Sequence, residues 1–199
     1  MNIFLNAILE SGKIILFDEN REILKTKDIK TLWNESEKLL WFMDDFLKDN
    51  NLNYNDIKNI VVVAWPWSFT WIRTISLLVN TINFVTKNNI TPISFFDMYK
   101  DYPIIKSSSK RDSFFQKNKT SKIEVIKNDE IIDYLVNKKI TKVFGENKNI
   151  SLSKTFQQDE KSFNFEIFEN IDYSAIIKEI EFKNDKIINP IYIKKPSIS

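Results

Sequence analysis

The chain has 199 residues, of which 43% are hydrophobic, enough for one large domain or two small ones with a substantial core. It contains no cysteine and no histidine, which excludes disulfides, thiolate metal sites, histidine bases and histidine metal ligands. Its 29 basic and 27 acidic residues give a net charge of +2, without the basic excess of a free-standing nucleic-acid binder.

No segment favours export or membrane insertion. The first nine residues are apolar, but no basic region precedes them, as a signal peptide would require. The longest apolar-leaning stretch, residues 72–85, is short and includes six polar or charged side chains. We therefore expect a soluble, cytoplasmic protein that does not contact membranes.

The first 25 residues predict a three-stranded β-meander. Two apolar runs, 2–9 and 13–18, are separated by Glu10-Ser11-Gly12, and Gly12 is expected to supply the positive φ of a hairpin turn. Residues 21–25 are long enough for a third short strand.

A helix is expected from Asn34 onward, with Asn34 or Ser36 as its N-cap. Apolar side chains recur there at spacings of three and four, and charged side chains fill the other face. The apolar members are Leu39, Leu40, Met43, Phe46 and Leu47.

The next three predicted elements are a strand, a helix and a strand. Residues 60–64 form a continuous apolar run, typical of a strand buried on both faces. A helix is expected at 70–87 and a strand, interrupted by Pro92, at 90–95. The order through residue 95 is that of the actin-like, ribonuclease-H-like α/β fold, in which a meander joins a βαβαβ segment. The apolar face of the second helix comprises Ile72, Ile75, Leu78, Val79, Ile82 and Val85.

The second half predicts a smaller, reduced α/β lobe. Residues 102–122 are expected to form a boundary loop or an irregular edge strand. Short strands are expected at 123–126 and 142–144, and helices at 129–137 and 173–180. The predicted division places an N-terminal lobe at 1–103 and a C-terminal lobe at 104–199.

Tryptophan is concentrated in one heptapeptide. The chain has two glycines where about 14 are expected, but five tryptophans. A buried strand that turns into a helix usually needs glycine, so our hypothesis is that the source organism reads UGA as glycine and that all five tryptophans, including Trp33 and Trp41, are glycine in the native protein. The alternative is a real aromatic cluster that stacks on bases or binds a partner. The heptapeptide is Trp65-Pro66-Trp67-Ser68-Phe69-Thr70-Trp71.

With glycine at its three tryptophan positions, the heptapeptide, followed by a hydrophobic residue and Arg73, resembles the strand-to-helix loop of the TsaB family. Residues 35–47, residues 90–95 with Tyr99, and residues 189–194 also resemble segments of that family. The first strand departs from the family pattern, because Asn6 stands where the family usually has aspartate.

The resemblance implies an actin-like fold and a non-catalytic scaffold or activator of the complex that forms N6-threonylcarbamoyladenosine in tRNA, next to the anticodon. The implied partners are a TsaD-like catalytic paralogue and a TsaE-like ATPase, with tRNA contacted only indirectly, no cofactor and no metal. It leaves open whether the chain alone is a homodimer. The candidate interface is the apolar faces of the two helices, although these residues are also candidates for the domain's own core: Leu39, Leu40, Met43, Phe46, Leu47, Ile72, Ile75, Leu78, Val79 and Ile82.

Two other functions stay open, an independent actin-like ATP-using enzyme and a tryptophan-rich binding module. The loop before the second helix is a potential anion site, but its residues can equally serve close packing, with Ser68 or Thr70 as the helix cap. Arg73 can bind a phosphate or a partner's carboxylate, or form an ordinary ion pair. The basic run 106–111 can contact RNA phosphates or lie in an exposed loop.

Overall fold

The computed structural model describes residues 1–8, 11–30, 38–66, 69–109, 111–145, 164–168, 170–191 and 193. The chain divides into two compact units. The first unit comprises Met1–Phe95 with Asp172–Ile191, and the second comprises Phe96–Ile171 with Tyr192–Ser199.

The first unit contains a five-stranded mixed sheet with the spatial order β3-β2-β1-β4-β5. Strands β1, β2 and β3 form an antiparallel meander, and β1, β4 and β5 are parallel. This confirms the predicted actin-like order of three strands, helix, strand, helix, strand. The strands are β1 (Asn2–Asn6), β2 (Ser11–Phe17), β3 (Ile23–Lys30), β4 (Asn59–Trp65) and β5 (Asn89–Ser94).

The described residues form four α-helices. Two connect strands of the first unit, and the first of them begins at Leu39 after Lys38 as its N-cap. The predicted caps Asn34 and Ser36 lie outside the described residues. None of the described helices is both long enough and apolar enough to cross a membrane. The helices are α1 (Leu39–Asp49), α2 (Phe69–Thr86), α3 (Ile131–Asn137) and α4 (Tyr173–Glu179).

The sheet of the first unit is covered on both faces. Lys27 of β3 is in register with Ile14, which is in register with Leu5, so these three side chains share one face. Lys27 pairs with Asp45 and Asp49 of α1, which places α1 on that face. The connections β3–α1–β4 and β4–α2–β5 both link parallel strands, and both move across the sheet toward β5. Because such crossover connections are right-handed, α2 lies on the same face of the sheet as α1.

The opposite face is covered by a segment that returns from the C-terminal part of the chain. Tyr173 of α4 packs its ring edge against Phe4, with 5.6 Å between centroids, and Phe182 stacks on Phe17. The predicted boundary at residue 103 therefore needs correction, because Asp172–Ile191 belongs to the first unit. The physical reason is that the apolar rings of this segment cover a sheet face that would otherwise be exposed.

The same segment also closes the β5 edge of the sheet. Ile90 forms an antiparallel bridge with Asp185, and the Thr91 hydroxyl accepts a hydrogen bond from the Lys183 amide at 2.9 Å. Farther along, the side-chain amide of Asn80 on α2 bonds both the amide nitrogen and the carbonyl oxygen of Ile188, at 2.8 and 3.0 Å. A paired edge does not offer its backbone groups to another strand.

The second unit contains a sheet with the same connectivity, in the order β10-β9-β6-β7-β8. Again three antiparallel strands are followed by two parallel ones, with the first strand, β6, in the centre. Its core comprises Ile105, Phe115, Ile126, Ile131, Leu135 and Val143. The strands are β6 (Ile104–Ser107), β7 (Asp112–Gln116), β8 (Glu124–Lys127), β9 (Lys142–Gly145) and β10 (Asn164–Ile167).

The prediction of a boundary loop or irregular edge strand at 102–122 is wrong, because this segment contains the central strand β6 and its neighbour β7. The apolar pairs Ile104-Ile105 and Phe114-Phe115 are buried. They are separated by a polar run of serines and charged residues, which hid the two strands in the sequence.

Gly12 has a different role from the predicted one. It lies within β2, opposite Ile29, and neither glycine of the chain has a positive φ. A Cβ atom on Gly12 would lie 2.6 Å from the backbone oxygen of Asn6, and one on Gly145 would lie 2.9 Å from that of Ile105. Both glycines therefore permit close approach to the central strand of their own sheet.

Candidate functional site

The junction between β4 and α2 lies where the sequence predicts it. Trp65 ends β4 and is half-buried, Pro66 is buried after a cis peptide bond, and α2 begins at Phe69. Trp67 and Ser68 lie outside the described residues, so capping by Ser68 stays a prediction. Thr70 is exposed in the first turn of α2, where its carbonyl accepts a hydrogen bond from the Thr74 hydroxyl at 3.0 Å.

The described tryptophans differ in their surroundings. Trp65 ends β4, whereas Trp71 lies within the first turn of α2. Trp71 is buried, whereas Trp41 on α1 is mostly exposed. Trp33 lies outside the described residues.

We predict that the native protein has glycine at the five tryptophan positions. Its intact mass should then be lower than the mass calculated with tryptophan by the difference between five tryptophan and five glycine residues. The native protein should also lack tryptophan fluorescence. Peptide mass spectrometry of protein from the source organism measures this directly, with the tryptophan-free peptide 111–145 as the internal control. Tryptophan at residues 65, 67 and 71 would contradict the recoding hypothesis.

The end of β1 holds a neutral, largely buried polar pair. Asn6 is fully buried. Its side-chain nitrogen donates to the Tyr173 hydroxyl at 2.9 Å, and its Oδ1 accepts from the backbone amide of Ile8 at 3.3 Å. Burial raises the pKa of the Tyr173 phenol, against the lowering effect of the Asn6 hydrogen bond. The pair is therefore uncharged at neutral pH and offers a metal ion no negative ligand.

Most of the predicted interface residues are core. Leu40 is exposed, whereas the other nine are buried in the first unit. Their alternative assignment as the domain's own core is therefore the one that their burial supports. The buried nine are Leu39, Met43, Phe46, Leu47, Ile72, Ile75, Leu78, Val79 and Ile82.

Other apolar side chains of the two helices face solvent, with exposed fractions between 48% and 76%. We call this set the helical apolar surface, and it comprises Leu40 of α1 with Leu77, Phe84 and Val85 of α2, since the exposed Trp41 is one of the positions predicted to be glycine. Leu77 and Phe84 are seven residues apart, so they lie on one side of α2, two turns from each other. Large exposed apolar side chains on one side of a helix indicate an interaction site.

The charge pattern of α2 points in the same direction. In its 18 residues the only charged side chain is the exposed Arg73. The outer face of a surface helix normally carries charged and polar side chains, so exposed leucine, phenylalanine and valine side chains are unusual there. The lack of charged residues other than Arg73 between 69 and 86 is visible in the sequence, whereas the periodicity of the apolar residues indicates only the inner face of the helix.

The basic run 106–111 is not one exposed surface. Lys106 is fully buried in the central strand β6, while Arg111 is exposed at the start of β7. Lys110 lies outside the described residues. The predicted RNA contact through this whole run therefore needs correction, since a buried ammonium cannot reach a phosphate.

Comparison with known proteins gives a likeness in structure. No protein-family model and no curated protein sequence matches the chain. One similar solved structure is an uncharacterised protein described as similar to the peptidase YeaZ from Pseudomonas aeruginosa, with a TM-score of 0.70, 12% identity and coverage of 98% of this chain and all of that chain.

A second similar structure is YeaZ from Pseudomonas aeruginosa, with a TM-score of 0.51 and 13% identity over 62% of this chain and 66% of that one. YeaZ is another name for TsaB. The resemblance found in the sequence and the likeness in structure point to the same proteins, although they rest on different observations. The chain therefore has the mixed α/β, actin-like fold of the YeaZ (TsaB) proteins.

Proposed function

We propose that this chain is a TsaB-like scaffold subunit, which binds and activates a TsaD-like catalytic paralogue in the complex that forms N6-threonylcarbamoyladenosine in tRNA. The observation that carries the proposal is the helical apolar surface on a protein with the YeaZ fold. A TsaE-like ATPase is the third member of the proposed complex.

The chemistry of the surface fits a helical partner. Its four exposed side chains are aliphatic or aromatic, and Arg73 is the single charged side chain of α2. The cores of protein interfaces are depleted in charge and enriched in aromatic residues, with polar and charged residues at the rim. A partner with an apolar helix pair and a carboxylate opposite Arg73 would complement this surface.

A role without catalysis is supported by the side chains available. The chain lacks the residue types most used as general base, thiol nucleophile and soft metal ligand, namely histidine and cysteine. At the end of β1 the neutral Asn6–Tyr173 pair stands where actin-like enzymes use a carboxylate. These features favour the scaffold over the alternative of an independent ATP-using enzyme.

Reconstitution tests the proposal. The purified chain would be mixed with the TsaD-like and TsaE-like proteins of the same genome, unmodified tRNA, ATP and an activated threonylcarbamoyl donor. We expect a stable complex with the TsaD-like protein on size exclusion and modified nucleoside only when the chain is present.

Two results would contradict the scaffold. One is full activity of the other two proteins without this chain and without a complex. The other is ATP turnover by the isolated chain, which would favour the enzyme. For the chain alone, the exposed surface predicts a concentration-dependent homodimer, which sedimentation velocity measures.

A further inference from the structure

The second unit is the more basic of the two. It contains 16 basic and 12 acidic residues, whereas the first contains 13 and 15, so the near-neutral total hides a charge difference between the units. Whole-chain composition therefore understates the basic character of the second unit, and the location of its lysines decides what it can bind.

The topology brings several of these lysines to one end of the sheet. Strand β7 ends at Gln116, which is in register with Ile104 at the start of β6, and β9 also begins at this end. The β7–β8 hairpin loop and the end of α3 lie there too, because the Tyr134 hydroxyl of α3 donates to Glu124 at the start of β8 at 2.9 Å. The exposed lysines at this end are Lys117, Lys119 and Lys122 of the hairpin loop and Lys138 and Lys139 after α3.

No carboxylate within the described ranges pairs with any of these five ammonium groups. Lys138 lies over the Tyr134 ring, with 5.6 Å from Nζ to the centroid. Of the acids on neighbouring strands, Glu124 accepts a hydrogen bond from Tyr134, and Glu166 pairs with Lys142 at 2.8 Å. Positive charges grouped without acidic partners repel each other and are stabilised by a polyanion.

The hairpin loop presents its lysines on an ordered backbone. The Gln116 side chain donates to the carbonyls of Lys119 and Ser121, and the Asn118 side chain accepts from the amide of Thr120 at 3.1 Å. The backbone amide of Asn118 donates to the Ser121 hydroxyl at 3.0 Å. None of these bonds uses a lysine side chain, so the ammonium groups are available and their loop is held.

We propose that this lysine-rich end of the second unit binds the phosphate backbone of RNA directly. Lysine acts as a point charge for phosphate oxygens, and several on an ordered loop can follow successive phosphates. Between Lys117 and Lys122 the loop carries no large apolar side chain, and Ile123 beside them is half-buried, whereas a membrane-surface site would need exposed apolar side chains. The identification of that RNA as tRNA rests on the proposed function, whereas the binding itself does not.

The test compares two triple variants of the full chain with equal charge change. In K117Q/K119Q/K122Q the hairpin loop loses its ammonium groups, and in K25Q/K48Q/K183Q three exposed lysines of the first unit are replaced. Binding of fluorescein-labelled tRNA transcript is measured by anisotropy over a range of salt concentrations. Circular dichroism and thermal midpoint verify that both variants are folded.

We expect the wild type and the first-unit variant to bind with a steep salt dependence. At low salt the hairpin variant should bind the transcript at least about tenfold more weakly than the wild type. The slope of log binding constant against log salt concentration should be smaller by about two to three. Equal binding by both variants would overturn the proposal, as would binding to phosphatidylserine vesicles without binding to the transcript. Since no partner protein is present, loss of RNA binding refutes this inference alone, while failure of the reconstitution refutes the scaffold alone.

Discussion

Replacing Leu77 and Phe84 by glutamate is expected to abolish the complex with the TsaD-like protein and to lower nucleoside formation to the level seen without the chain. Both side chains are more than two-thirds exposed in the free chain, so the fold loses little. In the complex, two carboxylates would be buried without partners, at a cost of about 3 kcal/mol or more, or over a hundredfold in Kd. Titration by isothermal calorimetry or surface plasmon resonance measures this change.

The matched control is Leu24→Glu with Val136→Glu, which adds the same charge at exposed apolar positions of other elements, β3 and α3. This control should bind as the wild type does. If L77E/F84E also binds normally, the helical apolar surface is not the interface. If its thermal midpoint falls well below that of the control, these residues support the fold instead.

Gly12→Ala is expected to destabilise the first unit by about 2–3 kcal/mol, the upper range for overpacking in a well-packed region. The new Cβ would lie 2.6 Å from the backbone oxygen of Asn6, so the pairing of β1 with β2 must shift. Urea denaturation followed by circular dichroism measures the loss, which should appear as a lower midpoint.

Two comparisons make the Gly12 result specific. Thr26→Ala on the exposed side of β3 changes strand propensity without a close contact, and it should cost under about 1 kcal/mol. Gly145→Ala should also destabilise the protein, but by less than Gly12→Ala, because its Cβ would lie 2.9 Å from the nearest backbone oxygen, that of Ile105, rather than 2.6 Å. If Gly12→Ala unfolds at the wild-type midpoint, the close approach at Asn6 is not what requires glycine.

The sequence was sufficient for the order of elements in the first 95 residues because the signals there are local. The buried run in β4, the periodicity of α2 and the apolar runs of β1 and β2 each specify an element without reference to the rest of the chain. Their order then led to the actin-like fold, which the structural likeness confirms.

Non-local features were missed. The role of Gly12 depends on the backbone of Asn6, and the position of Asp172–Ile191 depends on Phe4 and Phe17, more than 150 residues earlier. Likewise, no local pattern shows that Lys106 belongs to a central strand, because the polar run after it resembles a loop. Helical periodicity placed Leu78 and Val79 correctly on the inner face of α2, but it also placed Val85 there, which is 72% exposed.

The contacts Phe4–Tyr173 and Asn80–Ile188 join residues that are translated early to residues that are translated late. The first unit can therefore complete its folding only near the end of synthesis. When Phe95 leaves the exit tunnel, all five strands of the first sheet have been made, but the face with Phe4 and Phe17 and the edge at β5 are still bare. They stay uncovered while residues 96–171 are synthesised, so a nascent chain exposes an apolar face and an open strand edge to chaperones during that time. A ribosome that stalls before residue 172 would release a product in which neither is ever covered.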